Sequence, residues 1–526
     1  SYFDLSGSEL PQSLSTLGNE NWPTLESWQD RIAQSAAIGK ESDSTPLVFN
    51  GASALYLRKY FEYESRLAAA IAQKAGQSLP ASATAPSEAE ASDDQQRAVA
   101  QALLNRIYII SGGPGTGKTT TVLDYLIQAI QCSESGSRKR IAAIAPTGKA
   151  AARLSESIRN GLSRFELDGQ LESQLLAIPC MTVHRLLQGL PNRSSFRRNA
   201  KHSIEYDILV VDESSMVDLP LMQKLLDAIP ETCSLVLLGD HHQLSSVEVG
   251  SVFGDLTRSA RNPESPLYGR SIALQKTYRF SEDSSIYRFC EACKAGDAQA
   301  LETLLASEKN DFSFTQIEGA SPKSLEPIIN RIVKAHQKRA EATDLESAFQ
   351  SIGAFATLTP FNRGLFGCRS INRLADARIR RIQKLDSDTF YAGMPLIILE
   401  NNYDLELFNG DIGIVWPDET SGELFAWFSD SKGGLKSVRL NWLPKHDPAF
   451  CLTIHKSQGS EFDEVLGVFS PEDNEFISRQ LVYTCASRAK RRLSIYGDRI
   501  ALDKAIQRSV KRATLLEERI LAHNVS

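Results

Sequence analysis

The chain has 526 residues, too many for one compact domain; ordinary domain sizes predict roughly three or four. Its hydrophobic fraction of 42% and charged fraction of 23% are those of a soluble globular protein, and no stretch approaches the ~20 continuous apolar residues of a membrane span. The net charge of −6 argues at first against a polyanionic partner, but residues 1–94 hold 13 Asp and Glu against 6 Lys and Arg, so the acidity belongs to that part and local basic strips elsewhere are not excluded.

The chain opens on Ser1-Tyr2-Phe3-Asp4, without the basic flank and apolar core of a secretion signal; the missing initiator Met predicts a processed or trimmed terminus. Within residues 1–76, two apolar runs at 46–49 and 54–57 precede a predicted helix over 59–74. Residues 77–94 read QSLPASATAPSEAEASDD, a run of small residues, prolines and acids that predicts a linker.

After the linker, strand, loop and helix alternate. The runs 107–110, 141–145, 208–211 and 235–238 are apolar throughout, as strands buried on both faces of a parallel sheet are. Between the first run and a predicted helix at 120–131 lies Gly112-Gly113-Pro114-Gly115-Thr116-Gly117-Lys118-Thr119-Thr120, which fits G-x-x-x-x-G-K-[ST] in the context that motif requires. Glycines let backbone N–H groups curl toward phosphate oxygens, Lys118 supplies a cation to the β- and γ-phosphates, and the Thr119 hydroxyl is a Mg²⁺ ligand. The run 208–211 ends in Asp212-Glu213: Asp212 is placed to hold the same metal, and Glu213 to orient and deprotonate an attacking water. The next strand runs into Gly239-Asp240-His241-His242-Gln243, where Gln243 can contact the γ-phosphate. His241 and His242 lack a third ligand nearby, so a zinc site is not predicted.

A second set of apolar strands, at 354–358, 465–468 and 493–496, predicts a second α/β unit. Arg279 and Arg488 fall in it. An arginine reaching the γ-phosphate from a neighbouring unit stabilises the charge that develops in transfer. Cys290 and Cys293 form a C-x-x-C without a second pair; eight cysteines in all are too sparse for a disulfide scaffold and suit a reducing cytoplasm, so the pair reads as two small apolar residues on a helix. Arg378, Arg380, Arg381 and Lys384 make a basic run that reads equally as a solvated face. Residues 391–447 differ: short strands punctuated by Asn409-Gly410, Ser421-Gly422 and Gly433-Gly434 predict a small antiparallel β insert.

These motifs together resemble the RecD-type branch of the superfamily 1 helicases. The resemblance runs from about residue 46 to about residue 500. It rests on the phosphate loop, on Ala145-Pro146-Thr147-Gly148-Lys149-Ala150-Ala151-Ala152-Arg153-Leu154, on Thr182-Val183-His184-Arg185-Leu186-Leu187, and on Val211-Asp212-Glu213-Ser214. It rests further on Phe408-Asn409-Gly410-Asp411 and on Thr453-Ile454-His455-Lys456-Ser457-Gln458-Gly459-Ser460-Glu461-Phe462. Ser214 stands where that family more often has Ala, and Cys485-Ala486-Ser487 replaces an Ala-Val-Thr type run before the retained Arg488. The resemblance implies an α/β fold of two tandem RecA-like P-loop NTPase domains, at 95–268 and 269–526, with a small SH3-like β insert and a short N-terminal partner-docking region. It implies ATP and Mg²⁺ between the domains, Gln95 (with Gln96 as rival) reading adenine, and Gly459 and Glu461 near the ribose. It also implies Thr147, His184 and His455 on DNA, and a pin-like hairpin at 188–206 carrying Arg193, Arg197, Arg198 and Lys201.

The activity so implied is 5′→3′ translocation on single-stranded DNA, as the motor of a bacterial cytoplasmic exodeoxyribonuclease V working with RecB-like and RecC-like subunits on duplex ends in double-strand break repair and recombination. No nuclease centre is evident beyond the ATPase acids. Two other readings stay open: a helicase acting without those subunits, and a docking subunit with a vestigial ATPase. The N-terminal region is shorter than that family's, which predicts a differently built complex or a truncated chain.

Overall fold

The computed structural model of the chain describes residues 2–4, 25–79, 93–132, 139–190, 195–246, 248–281, 283–307, 309–386, 389–402, 404–430, 434–510 and 512–523. Most of the predicted linker at 77–94, and Arg193 of the predicted hairpin, lie outside the described residues.

Four strands, β1 (Tyr2–Asp4), β2 (Ile38–Gly39), β3 (Leu47–Phe49) and β4 (Ala54–Leu57), form a small N-terminal sheet in the order β1-β4-β3-β2. The helix Arg58–Ala75 follows directly. Its Leu67, Ala68 and Ile71 stripe packs on the helix Leu219–Ala228, so the N-terminal region rests on the first lobe.

The first lobe is a wholly parallel six-stranded sheet. Its strands are β5 (Ile107–Gly112), β6 (Ile141–Ala145), β7 (Cys180–Thr182), β8 (Ile208–Val211), β9 (Ser234–Gly239) and β10 (Ser271–Leu274), in the order β10-β5-β9-β8-β6-β7. β5, β6, β8 and β9 are buried along their whole length, which is why their sequences do not alternate.

The second lobe is a parallel five-stranded sheet. After β11 (Phe312–Gln316) and β12 (Phe355–Thr359), the chain makes the helix Cys368–Gln383 and then leaves this sheet for an insert. The insert's strands are β13 (Pro395–Ile398), β14 (Ile412–Pro417), β15 (Leu424–Ser429), β16 (Leu435–Arg439) and β17 (His446–Pro448). They pair antiparallel throughout, in the order β16-β15-β14-β13-β17, within the predicted 391–447 to a residue or so. The chain then returns through β18 (Cys451–Thr453), β19 (Phe462–Val468) and β20 (Ala489–Gly497), and the lobe's order is β11-β20-β19-β12-β18.

Two boundaries differ from the sequence expectation of 95–268 and 269–526. Residues 271–274 are β10, the edge strand of the first sheet, paired with β5 from Ser271↔Ile109 to Leu274↔Gly112. The C-terminal helix Leu516–Ala522 also leaves the second lobe: Leu516 and Ile520 are fully buried in the first lobe's core, against the helices Arg58–Ala75 and Val252–Ser259. Beneath it, Glu64 is fully buried and accepts hydrogen bonds from the Tyr56 hydroxyl (2.9 Å), the Leu515 N–H (3.2 Å), the Thr514 hydroxyl (3.2 Å) and Arg519 Nε (3.2 Å). A carboxylate taken so far from water is tolerated only with such hydrogen-bond partners. This cluster staples the N-terminal sheet, the first lobe and the last helix together.

Candidate active site between the lobes

The phosphate loop starts where β5 ends, at the carboxyl edge of the first sheet, and feeds the helix Lys118–Gln131. Gly115 and Gly117 take φ of 74° and 83°, the left-handed region that glycine enters without strain. Both are also crowded. A Cβ on Gly115 would lie 2.3 Å from the Arg279 Cβ, and one on Gly117 would lie 2.1 Å from Gln95 Nε2. Gln95 donates to the Thr116 carbonyl (3.1 Å) and lines the cleft, whereas Gln96 is exposed on the other side of its helix turn. Lys118 Nζ donates to the carbonyls of Gly112 (2.5 Å) and Gly113 (3.0 Å).

The loop floors a cleft of about 510 Å³. From the first lobe, Pro114 to Thr120, Asp212, Glu213 and Gln243 line it; Arg279 comes from the segment after β10, beside the phosphate loop, and Gly459, Glu461 and Arg488 come from the second lobe. Every predicted catalytic residue is therefore present on its walls. Burial, reinforced by the charge of Glu213, pushes the Asp212 carboxyl up to about 6, while the Glu213 N–H (2.8 Å) and Lys118 oppose the shift. Glu213 takes φ of 50°, unusual for a residue with a Cβ; such local strain gathers at working sites, and here it aims the carboxylate into the cleft. The glycine cradle, the helix N-terminus and Lys118 fit a phosphate chain. Thr119 and Asp212 fit a Mg²⁺ that takes its other ligands from phosphate and water. No cluster of three His, Cys, Asp or Glu suited to a metal exists among the described residues.

The loop after β9 is gripped by the second lobe. Asp240 accepts from the Tyr483 hydroxyl at 2.7 Å, Gln243 Oε1 accepts from Arg488, the Leu244 N–H donates to the Thr484 hydroxyl at 3.0 Å, and Gln458 Nε2 donates to the Leu244 carbonyl at 3.1 Å. Burial alone would raise the Asp240 carboxyl; Lys118, the Tyr483 hydroxyl and His242 outweigh it and hold the group below the usual carboxylate range. His241 instead bonds Ser111 Oγ (2.7 Å), and burial with the neighbouring His242 drives its pKa down to about 4.

Glu461 is not free to serve a ribose alone. One carboxylate oxygen binds Arg279 and the other binds Arg153, a residue the sequence reading quoted but gave no role. Asp240, Tyr483, Thr484 and Gln458 were likewise missed as functional. Their signal was only their nearness to Gln243, Glu461 and Arg488. Tyr278 was missed too: its backbone N–H donates to the Gly115 carbonyl (2.7 Å) and its exposed ring flanks Gly117.

Thr147, His184 and His455 do not line the cleft. Each sits two residues past the end of a strand: β6, β7 and β18. β6 and β7 are neighbours in register, Ala145↔Thr182, so Thr147 and His184 share the carboxyl edge of the first sheet, while β18 is the edge strand of the second. Thr147 caps the helix Gly148–Gly161, accepting the Ala150 N–H at 3.2 Å; His184 is exposed beside the Phe196 ring, with centroids 5.8 Å apart. The bridges Gly189↔Phe196 and Asn199↔His202 give the described part of 188–206 a hairpin character. Of the basic run, Arg380 is bound to Asp376 and to the carbonyls of Asp386 and Thr389, a structural use. Cys290 and Cys293 are both buried in the helix Ser285–Ala295 as apolar packing.

Comparison with known proteins points one way. Residues 95–249 match an AAA domain, 448–496 a UvrD-like helicase C-terminal domain, and 1–56 the N-terminal domain of RecBCD enzyme subunit RecD. The RecBCD enzyme subunit RecD of Haemophilus influenzae is 33% identical, across 81% of this chain and 72% of its own length; that of Mycobacterium tuberculosis is 32% identical, across 95% and 85%. The ATP-dependent RecD2 DNA helicase of Deinococcus radiodurans is 29% identical, across 98% of this chain and 66% of that one. Among solved structures, Bacteroides Pif1 bound to single-stranded DNA covers 77% of this chain and 91% of its own at 16% identity, with a TM-score of 0.40. Two parallel lobes around a phosphate loop, matched along almost their full length by relatives of one kind, settle the assignment: the chain belongs to the RecD family of RecBCD enzyme subunits.

Proposed function

We propose that this chain is a DNA helicase motor: it hydrolyses ATP and moves 5′→3′ along single-stranded DNA, as the motor subunit of a RecBCD-type complex with RecB-like and RecC-like partners. The observation that carries the reading is the grip of Arg488 on Gln243. A buried arginine of one lobe is bound to the residue of the other that stands next to the phosphate loop. Such a bond makes the distance between the lobes depend on what occupies the cleft.

Lys118 and the loop N–H groups bind the triphosphate, and Gln95 and Tyr278 flank its base. Mg²⁺, held by Thr119 and Asp212, would neutralise charge on the phosphate oxygens. Glu213 orients the water and accepts its proton; Arg279 and Arg488 meet the charge developing on the transferred group. When phosphate leaves, Gln243 and Arg488 lose their shared ligand and the lobes shift. Thr147 and His184 on one lobe and His455 on the other then exchange their hold on the DNA backbone, which hydroxyls and backbone N–H groups bind without reading sequence.

The test is ATP turnover with and without single-stranded DNA, followed by strand displacement on 5′- and 3′-tailed duplexes, with and without partner subunits. DNA-stimulated turnover and unwinding of the 5′-tailed substrate are expected, and both disappear in Lys118→Ala. Unwinding without partners favours the free-standing helicase, a reading that the match to the RecD2 helicase supports. Turnover indifferent to DNA, or metal-dependent nuclease activity surviving Lys118→Ala, overturns the proposal.

A further inference from the structure

Sequence resemblance puts Glu461 near the ribose, yet its two carboxylate oxygens face two guanidinium groups. Arg153 comes from the helix Gly148–Gly161 of the first lobe, and Arg279 from the segment after β10. A carboxylate bridging two arginines has the shape and charge of a phosphate doing the same, since guanidinium forks bind both anions through paired N–H groups.

Arg279 is held at one end and unsatisfied at the other. Its Cβ sits where a side chain on Gly115 would be, and the preceding N–H, that of Tyr278, is bonded to the Gly115 carbonyl, so its backbone is pinned to the phosphate loop. Its Nη2 donates to Glu461, while its Nη1 is buried with no hydrogen-bond partner among the described residues. A buried donor left unpaired costs free energy, and this one belongs to a cleft that also presents Lys118, Arg153 and Arg488. Burial works against ionisation of Glu461, but Arg153 and Arg279 overwhelm it and hold the carboxyl down to about 2, so the group is charged at neutral pH.

We propose that Glu461 is a positioning residue that acts as an internal counter-ion: it stands in for nucleotide phosphate between Arg153 and Arg279, and yields Arg279 to the phosphate chain of the incoming triphosphate. This rests on the ATP reading above and deepens it. Glu461 sets affinity by competing with the polyphosphate for one arginine, and its charge offsets the repulsion between the two cations.

The test is calorimetric titration of the full chain and of Glu461→Gln with the magnesium salts of a non-hydrolysable ATP analogue and its 2′-deoxy form, and with adenosine monophosphate. Removing one like charge beside a polyanion is expected to tighten the triphosphate by about three- to tenfold at low salt, less at high salt. The gain is the same with and without the 2′-hydroxyl, and it is far smaller for the monophosphate. Weaker binding confined to the ribonucleotide makes Glu461 a ribose ligand, and equal weakening of both triphosphates makes it a scaffold; either overturns the proposal. If Glu461→Gln does not fold, Glu461→Asp keeps the charge but is too short to span both guanidinium groups. A gain of the same sign, about twofold, is expected there, and a loss overturns the inference. Failure of the unaltered chain to bind any triphosphate brings down the ATP reading itself, whereas normal binding with no gain in the variants brings down the counter-ion alone.

Discussion

Arg488 of the second lobe donates a hydrogen bond to Gln243 of the first, and both are buried. The guanidinium is also fixed from behind by the carbonyls of Ser460 (3.2 Å) and Thr484 (3.3 Å), so it approaches Gln243 in one orientation. Gln243 is in turn tied by its amide to Asp240 (3.1 Å). Under the proposed function, nucleotide and lobe position meet at this one side-chain pair.

Arg488→Ala should keep nucleotide binding, which the phosphate loop supplies, and lose hydrolysis by about 10³-fold, the scale of an arginine that meets transferred phosphate. Gln243→Ala should lose less. Because the two act through each other, the double variant should be hardly worse than Arg488→Ala alone. Single-turnover rates for the four proteins check this; additive losses would mean that the pair does not work as a unit.

Tyr483→Phe tests the other bond across the lobes. Asp240 has a folded-state pKa below its unfolded value of ~3.9, so it contributes stability above that value and loses it as pH falls through the lower, folded one. Removing the phenol that donates to it at 2.7 Å should cost about 1–3 kcal/mol at pH 7. The deficit should shrink toward acid, where Asp240 is neutral in both proteins. Urea unfolding across that range checks it, and a deficit independent of pH would leave the phenol a packing role only.

The strands that carry the phosphate loop and Asp212 were legible in the sequence because burial on both faces leaves an unbroken apolar run, as in Ile208-Leu209-Val210-Val211. The edge strand β10 was not: Ser271-Ile272-Ala273-Leu274 is half-buried and short, and its membership comes only from pairing with β5. The residues of the site could be read where chemistry restricts the type, as at Lys118 and Asp212. Their mutual contacts could not. Glu461 meets Arg153 and Arg279 only because two sheets and an insert bring distant loops together, and no local pattern encodes that meeting. The last helix, LEERILA, has only two residues, Leu516 and Ile520, that the structure buries, too few for the sequence to mark which lobe covers them.

Glu64→Gln should show that this helix is a strap rather than a tail. The substitution keeps the shape but removes the charge that receives Arg519, and it leaves one accepting oxygen where two now serve Tyr56, Leu515 and Thr514. Breaking so buried a cluster should cost about 2–4 kcal/mol. Limited proteolysis should then cut the chain just ahead of this helix faster than in the unaltered protein. An unchanged digestion pattern would mean that Leu516 and Ile520 hold the strap without help.

Asp212→Asn separates what the site costs from what it does. Burial and Glu213 raise the Asp212 carboxyl to about 6, so in the absence of a cation the ionised form weakens the fold. A group whose folded pKa is raised gives its full stability below the unfolded value, and that is lost as pH rises through the folded one. The amide never ionises. The variant should therefore melt about 2–4 °C above the unaltered protein at pH 8 without Mg²⁺, and the advantage should shrink as pH falls below about 6 and vanish only below the unfolded value of ~3.9, where the carboxyl is protonated in both states. Turnover should be abolished at every pH. In the unaltered protein, Mg²⁺-dependent nucleotide affinity should fall on acidification through about pH 6, because protonation removes the metal's ligand. A variant less stable than its parent at pH 8 would mean that Lys118 already neutralises Asp212, leaving no unpaid charge for a metal to satisfy.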